Sequence, residues 1–469
     1  MTADIDTVST TPTQDTVLDA LRDAARRTTT EAYLVGGFVR DRLLGRPGKD
    51  IDLVCVDTDG VAMLTDVATH FGWHRPQVFE RFGTAQIRGE GFIIESVRAR
   101  AESYLPESRK PSVRPGTLAE DIVRRDFTCN ALCQSLSGEL IDITGHGIDD
   151  LRAGILRTPL DPAETFSEDP LRMFRAARFV AQLGFTLADG TVEAMRATAE
   201  RSRILSVERI NEELRRLLTA PKPSSGLEIL RLAGLLDVFL PEIAAMIGIE
   251  QGGYHIYDVY GHTLAAVDAA PPDPLVRLGT LLHDVGKPPT HVVAEDGRHT
   301  FYDHPNVGAR MATEILRRLR FSNEEIDAVS ALVRLHLRPI QYDPLTFGDS
   351  AIRRLIREAG PLREAMLAVA RADTTASSYP DLDNIEALAH RMDSLDEGGA
   401  VTRLEAPLDG AAIMKLAGRP EGRWVGGVKT ALVEAVLDGE LAAGDADGAE
   451  AWLIRHPDLW RADDSPPAG

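Results

Sequence analysis

Apolar runs of strand length alternate with helical stretches in the first third of the chain. Four runs rich in apolar and β-branched residues have the length of strands, and they lie at residues 32–37, 50–56, 83–89 and 91–97. Residues 121–136 instead carry apolar positions at helical intervals. This alternation predicts that helices surround a mixed β-sheet from about Val17 to Asp150.

Helical spacing dominates the rest of the chain. From Leu151 to about Pro223 the apolar positions recur at helical intervals almost throughout. A breaker follows at Pro221–Gly226, and a second helical region that contains most of the histidines runs to about Arg391. The pattern predicts a disordered leader, a head, a helical neck, a helical third domain and a tail, at residues 1–16, 17–150, 151–225, 226–391 and 392–469.

Length and composition indicate a multidomain protein without a membrane span. The chain has 469 residues, more than the roughly 250–300 at which a single hydrophobic core stops growing. No uninterrupted apolar run approaches the roughly 20 residues that a membrane span needs. The leader has neither a basic start nor an apolar stretch, so we expect no signal peptide and no membrane partner.

Cysteine use indicates a reducing compartment. Cys55, Cys129 and Cys133 are odd in number and form no CxxC pair. This pattern supports neither a disulfide framework nor a zinc finger. We therefore expect three buried thiols in a cytoplasmic protein.

The net charge of −20 excludes a protein that coats nucleic acid through a general basic surface. Any contact with RNA must be local. Basic residues do cluster, at Arg109, Lys110 and Arg114, at Arg124 and Arg125, and at Arg172, Arg175, Arg178, Arg201, Arg203 and Arg209. Solvated helix faces would explain some of these clusters equally well.

A glycine pair followed by two aspartates is the most informative pattern in the chain. The predicted strand Tyr33–Val35 runs into Gly36 and Gly37, where a helix start with free N–H groups offers a seat for a triphosphate. Asp50 and Asp52 alternate with apolar residues on a strand, so their carboxylates share a face and repel each other unless a divalent cation lies between them. A tight turn and a solvated acidic turn are the alternatives.

Together these motifs resemble the nucleotidyltransferase superfamily that includes DNA polymerase β, and within it the tRNA nucleotidyltransferase and bacterial poly(A) polymerase family. The resemblance covers the head and the neck. It implies that the glycine pair and Arg40 bind the nucleotide, and that Asp50 and Asp52 hold catalytic Mg²⁺. It also implies a third catalytic carboxylate on a neighbouring strand, for which Glu95 is the candidate.

A second motif, RRDFTCNAL, combines basic, acidic and amide side chains. At the start of a helix, Arg125, Asp126 and Asn130 can converge on one ligand. The family resemblance implies that they bind the triphosphate and the ribose hydroxyls, and an Asp with an Asn suits recognition of a 2′-OH. A surface ion pair is the alternative. The preceding segment, Pro106–Thr117, is rich in Pro, Gly and Ser and predicts a mobile loop over the site.

A third motif, EDPLRMFRAARF, permits two interpretations. Asp169 before Pro170 is an ordinary helix start, with the arginines on a face away from the apolar stripe. Alternatively, Asp169 accepts a hydrogen bond from the exocyclic amino group of cytosine or adenine while Arg172 donates to the ring nitrogen. Guanine and uracil reverse this order and leave a buried charge unpaired. The family resemblance supports the second interpretation and implies that Arg175 and Arg178 also contact the nucleotide.

The histidines of the third part follow an order suited to metal binding. Four His and two Asp lie on separate predicted helices or their ends, namely His262, His283, Asp284, His304, His336 and Asp373. Imidazole and carboxylate are ligands of the divalent metals used in hydrolysis. The pattern resembles an HD-type metal phosphohydrolase domain, whose role is either catalytic or structural. His255 competes with His262 as the first ligand.

The resemblance implies an α+β fold: a polymerase β-type head with a mixed sheet, an all-α neck, an HD-type helical domain and a tail. In the tail, the glycines of GRPEGRWVGG either form turns or contact RNA. The implied enzyme adds or repairs the 3′-terminal CCA of tRNA from CTP and ATP, without a nucleic-acid template, and releases pyrophosphate. A-addition alone and poly(A) synthesis share the motifs. From another class, the chain is an HD phosphohydrolase whose head senses nucleotide.

Overall fold

The computed structural model describes residues 12–46, 48–79, 83–105, 108–252 and 257–460, without the side chains of residues 102–112. The chain divides into two compact units between Ala244 and Ala245. Residues 1–11 of the predicted leader lie outside the described residues, and the first helix already begins at Gln14.

A seven-stranded mixed sheet forms the centre of the first unit. The strands of this unit are β1 (Ala32–Val35), β2 (Asp50–Cys55), β3 (Gln77–Phe79), β4 (Thr84–Gly89), β5 (Phe92–Arg98), β6 (Arg100–Leu105), β7 (Ser108–Pro115), β8 (Cys133–Ser135), β9 (Leu140–Ile141), β10 (Ile155–Leu156) and β11 (Thr186–Leu187). In the sheet they run in the order β3-β4-β5-β2-β1-β8-β9. The β2–β5 pair is parallel and the other pairs of this sheet are antiparallel. The mixed sheet and the four predicted strands are thereby confirmed.

Helices complete the first unit. They are α1 (Gln14–Arg27), α2 (Gly37–Leu43), α3 (Val61–Phe71), α4 (Leu118–Val123), α5 (Gly147–Ala153), α6 (Pro162–Glu168), α7 (Leu171–Leu183), α8 (Thr191–Thr198), α9 (Val207–Leu218), α10 (Pro223–Leu232), α11 (Leu235–Phe239) and α12 (Pro241–Ala244), with 3₁₀ turns at Thr128–Asn130 and Ala199–Ile204. Helix α7 packs against α9 and α10. Its apolar stripe is buried there, including Met173, Ala176 and Ala177 at 0% exposure, so burial of this stripe holds the helix in place.

Apolar and acidic side chains alternate along β2, so the apolar ones face the core and the acidic ones face the opposite side of the sheet. Ile51 and Leu53 are 1% and 0% exposed, whereas Asp50 and Asp52 face outward. Successive side chains of a strand point to opposite faces. The strand is therefore held by its apolar positions and presents its carboxylates together.

Two local predictions were wrong, and a third was right only in part. The helix expected over residues 121–136 ends at Val123, because the chain turns back and Cys133 pairs with Val35 at the sheet edge. The loop expected at Pro106–Thr117 contains strand β7, which pairs with β6. The breaker expected at Pro221–Gly226 does separate α9, which ends at Leu218, from α10, but α10 begins within it, since Pro223 occupies its first turn, where a missing N–H costs nothing.

The second unit is helical apart from one small hairpin, over the residues described. Its elements are α13 (Val259–Ala269), α14 (Pro274–Leu282), α15 (Lys287–Thr290), β12 (Val292–Val293), β13 (His299–Thr300), α16 (His304–Arg318), α17 (Asn323–Leu335), α18 (Leu337–Ile340), α19 (Asp349–Ala359), α20 (Arg363–Thr375), α21 (Asp383–Leu395), α22 (Gly410–Ala417), α23 (Arg423–Leu437) and α24 (Ala446–Arg455). One apolar cluster joins α17, α19, α20 and α21. A second cluster joins α22, α23 and α24 in the tail.

The tail glycines do not all form turns. Gly418 follows α22 in the left-handed region at φ 63°, and Gly422 precedes α23. Gly426 and Gly427 lie inside α23, so the turn interpretation is wrong for these two.

Candidate active site

Two carboxylates lie side by side on β2, next to a third on β5. Asp50 and Asp52 project to the same face of the sheet. In the parallel pairing, Asp52 is the direct partner of Glu95. Glu95 also accepts a hydrogen bond at Oε2 from Gln86 Nε2 at 3.2 Å. The carboxylate expected on a neighbouring strand therefore stands beside Asp52.

Electrostatics at this edge suit a cation. Asp52 is exposed at the cavity surface, yet the surrounding walls partly desolvate it and so raise its pKa; Arg125 opposes that shift, while Glu95 and Asp50 reinforce it. Mutual repulsion of carboxylates is relieved when a divalent cation binds between them. The donor set thus fits a hard metal such as Mg²⁺.

At Gly36 the backbone passes close to the side chains of Arg125 and Asp52. Its φ of 71° lies in the left-handed region. A Cβ added there would lie 3.1 Å from Arg125 Nη1 and 3.7 Å from Asp52 Oδ2. Gly37 then begins helix α2 as expected. The turn therefore needs glycine for its conformation and for its contact with Arg125.

Four side chains form a continuous chain of hydrogen bonds across the site. Arg40 Nη1 donates to Asn130 Oδ1 at 2.6 Å, and Asn130 Nδ2 donates to Asp126 Oδ1 at 2.9 Å. Arg175 Nε donates to Asp126 Oδ2 at 2.8 Å. Burial alone would raise the pKa of Asp126, but the charge of Arg175 and the hydrogen bond from Asn130 lower it to about 2. Asp126 is therefore ionised at neutral pH.

The RRDF segment is a turn that a buried carboxylate holds. Asp121 is 0% exposed and accepts hydrogen bonds from Arg124 Nη2 at 2.7 Å and Arg125 Nη2 at 3.2 Å. Asn130 lies in the following 3₁₀ turn. The convergence expected of Arg125, Asp126 and Asn130 arises from this tight turn and not from a helix start.

The two carboxylate oxygens of Asp169 have different partners. Its Oδ1 accepts a hydrogen bond from the Leu171 N–H at 3.2 Å, as a capping residue does. Its Oδ2 lies 3.7 Å from Arg209 Nη2. Arg172 and Arg178 are only 7% and 5% exposed, so a solvated arginine face is wrong for these two.

All three motifs line one cavity of about 590 Å³. The expected residues that line it are Gly36, Gly37, Arg40, Asp50, Asp52, Arg125, Asp126, Asn130, Asp169, Arg172, Arg175 and Arg178. Glu95 is not among the lining residues. The cavity thus has the paired aspartates on its β2 side, and arginines outnumber carboxylates in the rest of its lining.

Sequence reasoning missed the residues that support these arginines. The centre of the Phe179 ring lies 5.1, 5.5 and 4.0 Å from the guanidinium carbons of Arg40, Arg175 and Arg178. Glu213 on α9 accepts a hydrogen bond from Arg178 Nε at 2.6 Å. Cation–π contacts and buried ion pairs fix long side chains that would otherwise be mobile.

A second cluster of polar side chains is buried in the other unit. It contains all six expected ligands, His262, His283, Asp284, His304, His336 and Asp373, none more than 9% exposed. Two groups of donor atoms lie within 4.8 Å of one another and share Asp284; they are His262, His283 and Asp284, and Asp284, His304 and His336. His262 Nε2 lies 2.9 Å from Asp373 Oδ1. The alternative ligand His255 lies outside the described residues.

Backbone carbonyls orient three of these rings. His283, His304 and His336 place Nδ1 at 2.6, 2.9 and 2.6 Å from the carbonyl oxygens of Thr280, Phe301 and Val333. A Nδ1–H donated in this way leaves Nε2 as an acceptor, which is the usual arrangement of a metal-binding histidine. The cluster therefore fits one or two divalent cations.

The charges within the cluster are strongly coupled. Burial lowers the pKa of His336 to about 4, with His283 adding to the effect. Burial acts likewise on His283, but the carboxylates of Asp284 and Asp373 prevail and raise its pKa to about 9. Lys287, which the sequence reasoning missed, lies with Nζ 2.7 Å from Asp284 Oδ2. Its spacing of three residues from Asp284, across the turn between α14 and α15, is the signal that could have found it.

Family models match three segments of the chain. Residues 32–157 match the poly A polymerase head domain. Residues 184–247 match the probable RNA and SrmB-binding site of polymerase A, and residues 252–396 match the HD domain.

Two curated relatives match over nearly the whole chain. The A-adding tRNA nucleotidyltransferase of Deinococcus radiodurans is 33% identical over 90% of this chain and 95% of its own length. The CC-adding tRNA nucleotidyltransferase of Thermus thermophilus is 34% identical over 92% of this chain and 94% of its own. The chain belongs to the tRNA nucleotidyltransferase and poly(A) polymerase family.

As a family member the chain is a nucleotidyltransferase. Its fold also matches a crystal structure of the Bacillus stearothermophilus CCA-adding enzyme in complex with CTP, with a TM-score of 0.67 and 26% identity over 94% of this chain and 96% of that one. Within the described ranges, no helix is both long and apolar enough to cross a bilayer. The expected α+β fold and the HD domain are confirmed.

Proposed function

We propose that the first unit adds the 3′-terminal CCA to tRNA from CTP and ATP, without a nucleic-acid template. The observation that carries this proposal is the single cavity on which the glycine pair, the paired aspartates, the RRDF turn and the Asp169–Arg172 motif converge. In each step the 3′-hydroxyl oxygen of the tRNA bonds to the α-phosphorus of the nucleotide. The bond to the β-phosphate breaks, and pyrophosphate leaves.

Asp50 and Asp52, with Glu95 beside Asp52, are the residues that would hold Mg²⁺. Mg²⁺ bound there would neutralise the triphosphate and increase the acidity of the attacking hydroxyl. The position of Asp50 and Glu95 beside Asp52 supports this assignment, because clustered carboxylates favour a cation between them; both add to the rise that burial causes in the pKa of Asp52.

Arginines bind the triphosphate of the nucleotide, and a buried carboxylate recognises its ribose. Arg40 and Arg125 bind the triphosphate oxygens, close to the Gly36 turn. Asp126 and Asn130 face the ribose, where an ionised carboxylate accepts a hydrogen bond from the 2′-OH. The same hydroxyl is absent from deoxyribonucleotides, which are thereby excluded.

The base edge is read by Asp169 and Arg172. The carboxylate accepts from the amino group that cytosine and adenine share, and the guanidinium donates to the adjacent ring nitrogen. Both side chains line the cavity, and Arg172 is withdrawn from solvent, where an unpaired group is costly. Arg175 and Arg178 complete the basic wall of the site.

A-addition alone and poly(A) synthesis use the same chemistry. The relatives that span the chain include one named for A-addition and one named for CC-addition. The test offers tRNAs that end before CCA, after C and after CC, each with labelled CTP, ATP, GTP or UTP. Full CCA addition predicts C, then C, then A, and then arrest. Incorporation of A only, and only after CC, would identify an A-adding enzyme; continued addition of A would identify a poly(A) polymerase.

A second function is proposed for the other unit, as a metal-dependent phosphohydrolase. The observation that supports this proposal is a set of histidines that backbone carbonyls orient so that their Nε2 atoms face Asp284. The Nε2 atoms of His304 and His336 lie 3.4 and 3.9 Å from Asp284 Oδ1. His262, His283, Asp284, His304, His336 and Asp373 would hold the metal. The cation would supply a bound hydroxide for attack on a phosphate ester.

Chromogenic esters test this second function. We expect hydrolysis of p-nitrophenyl phosphate or bis(p-nitrophenyl) phosphate that a chelator removes and one added divalent metal restores. Absence of hydrolysis with Mg²⁺, Mn²⁺, Co²⁺, Ni²⁺ and Zn²⁺ would reduce the cluster to a structural role.

A further inference from the structure

One face of helix α9 looks into the nucleotide cavity. Arg209, Glu213 and Arg216 are spaced by four and three residues, so they lie on the same side of the helix. Glu213 binds Arg178, whereas Arg209 and Arg216 line the cavity itself. Arg209 is thus the basic residue of this face that reaches Asp169, with Nη2 3.7 Å from Oδ2.

Arg172 and Arg209 both lie near Asp169, but their side chains are held by different contacts. Asp169 Oδ1 is bound to the Leu171 N–H, which turns Oδ2 toward Arg209. Arg172 Nη2 instead donates to the Arg124 carbonyl oxygen at 2.5 Å. A hydrogen bond anchors Arg172, whereas Arg209 has a longer ion pair and a side chain that is 42% exposed. Of these two guanidinium groups, that of Arg209 is therefore the one that can move more easily toward a bound base.

We propose that Arg209 is a specificity-determining residue whose guanidinium Asp169 restrains, so that it cannot donate to the carbonyl oxygen of uracil or guanine. The inference rests on the proposed base-selecting role of Asp169. Uracil O4 and guanine O6 occupy the positions at which cytosine and adenine carry their amino groups. A free guanidinium beside those oxygens would donate a charged hydrogen bond to uracil or guanine and so stabilise binding of the wrong base.

Asp169 acts twice in this arrangement. Its carboxylate accepts from the amino group of the correct base, and its charge keeps Arg209 from serving the incorrect one. Loss of Asp169 therefore has two consequences, of which Arg209 carries only the second. A double-mutant cycle separates them.

The experiment measures kcat/KM for CTP, ATP, GTP and UTP with the full-length chain and tRNA lacking CCA, and with tRNA ending in CC. The variants are Asp169→Asn, Arg209→Ala and the double variant, because Asn keeps the helix-capping oxygen and loses the charge. We expect Asp169→Asn to raise the UTP-to-CTP ratio at least about tenfold, the effect of one hydrogen bond to a charged group. Addition of Arg209→Ala should remove most of that increase.

Two other arginines provide controls, Arg216 on α9 and Arg203 in the preceding 3₁₀ turn. Arg216→Ala, in the Asp169→Asn background, removes a positive charge from the same cavity and should leave the raised ratio unchanged. Arg203→Ala breaks only a surface ion pair with Glu200 and should leave activity and ratio unchanged. An equal fall of the ratio with Arg216→Ala would overturn the assignment to Arg209, since net charge alone would explain it.

The remaining outcomes are distinct. A ratio that stays high in the double variant would overturn the role of Arg209 while leaving Asp169 as a base reader. An unchanged ratio in Asp169→Asn, with nucleotide addition retained, would overturn both the inference and the base-reading role on which it rests.

Discussion

Arg175 and Asp126 join the neck motif to the RRDF turn. Arg175 Nε and Nη2 lie 2.8 and 2.6 Å from the same carboxylate oxygen of Asp126. Asp126 is 7% exposed, so the pair is largely removed from solvent. This ion pair therefore joins the turn that carries the proposed ribose-reading residues to helix α7, whose first turn carries Arg172.

Asp126→Asn should destabilise the protein in a pH-dependent manner. The pKa of Asp126 falls to about 2 in the folded state, from 3.8 when unfolded, so its ionised form stabilises the fold above pH 4. That contribution, about 2 kcal/mol at pH 7, is lost as the pH falls from about 4 to about 2. Guanidinium unfolding at pH 7 and pH 3 checks it. A difference between wild type and variant that is as large at pH 3 as at pH 7 would contradict this linkage.

Gly36→Ala should impair nucleotide addition more than a comparable glycine substitution. Gly36 and Gly45 both have positive φ, at 71° and 68°, so alanine is strained at either position, by about 1 to 3 kcal/mol. Only at Gly36 does the added Cβ meet Arg125, at 3.1 Å, since nothing lies within 4 Å at Gly45. We expect KM for CTP and ATP to rise in Gly36→Ala and to stay near wild type in Gly45→Ala. Equal effects would assign the loss to backbone strain alone.

Local spacing predicted the carboxylate pair but could not predict its surroundings. Asp50 and Asp52 share a face because strand side chains alternate, which depends on sequence neighbours only. The helix expected over residues 121–136 failed because Cys133 pairs with Val35, a contact between distant parts of the chain. Arg209 and Glu213 acquire their partners only when α9 packs against α7. Periodicity in one segment carries no information about such packing.

Asp50→Ala and Asp52→Ala should each abolish nucleotide addition and spare tRNA binding. Loss of a metal ligand removes several kcal/mol of transition-state stabilisation, a fall of at least about 100-fold in kcat. Single-turnover addition and a filter-binding assay with tRNA measure the two properties. Asp66→Ala, at a surface ion pair with Arg27, is the matched control and should be fully active. Substantial addition by either cavity variant would place the catalytic carboxylates elsewhere.

His283→Ala combined with Asp284→Ala should separate the two proposed activities. Both side chains are at most 1% exposed, so circular dichroism must first establish that the variant is folded. We expect CCA addition to persist and metal-dependent phosphatase or phosphodiesterase activity to disappear. His390→Ala, which changes an exposed histidine of the same unit, should retain both. Loss of nucleotide addition in the folded double variant would make the histidine cluster part of the polymerising machinery.

The most direct test of the whole account is the nucleotide preference of Asp169→Ala and Arg172→Ala, because a protein template must act on selectivity. A helix cap alone predicts a cost of about 1 kcal/mol in stability and no change in preference. The measurement is kcat/KM for all four nucleotides on tRNA lacking CCA. We expect the values for CTP and ATP to fall in both variants. In Asp169→Ala we also expect UTP and GTP to compete with CTP and ATP for incorporation. Unchanged ratios among the four nucleotides, with only a lower Tm, would contradict selection by these side chains.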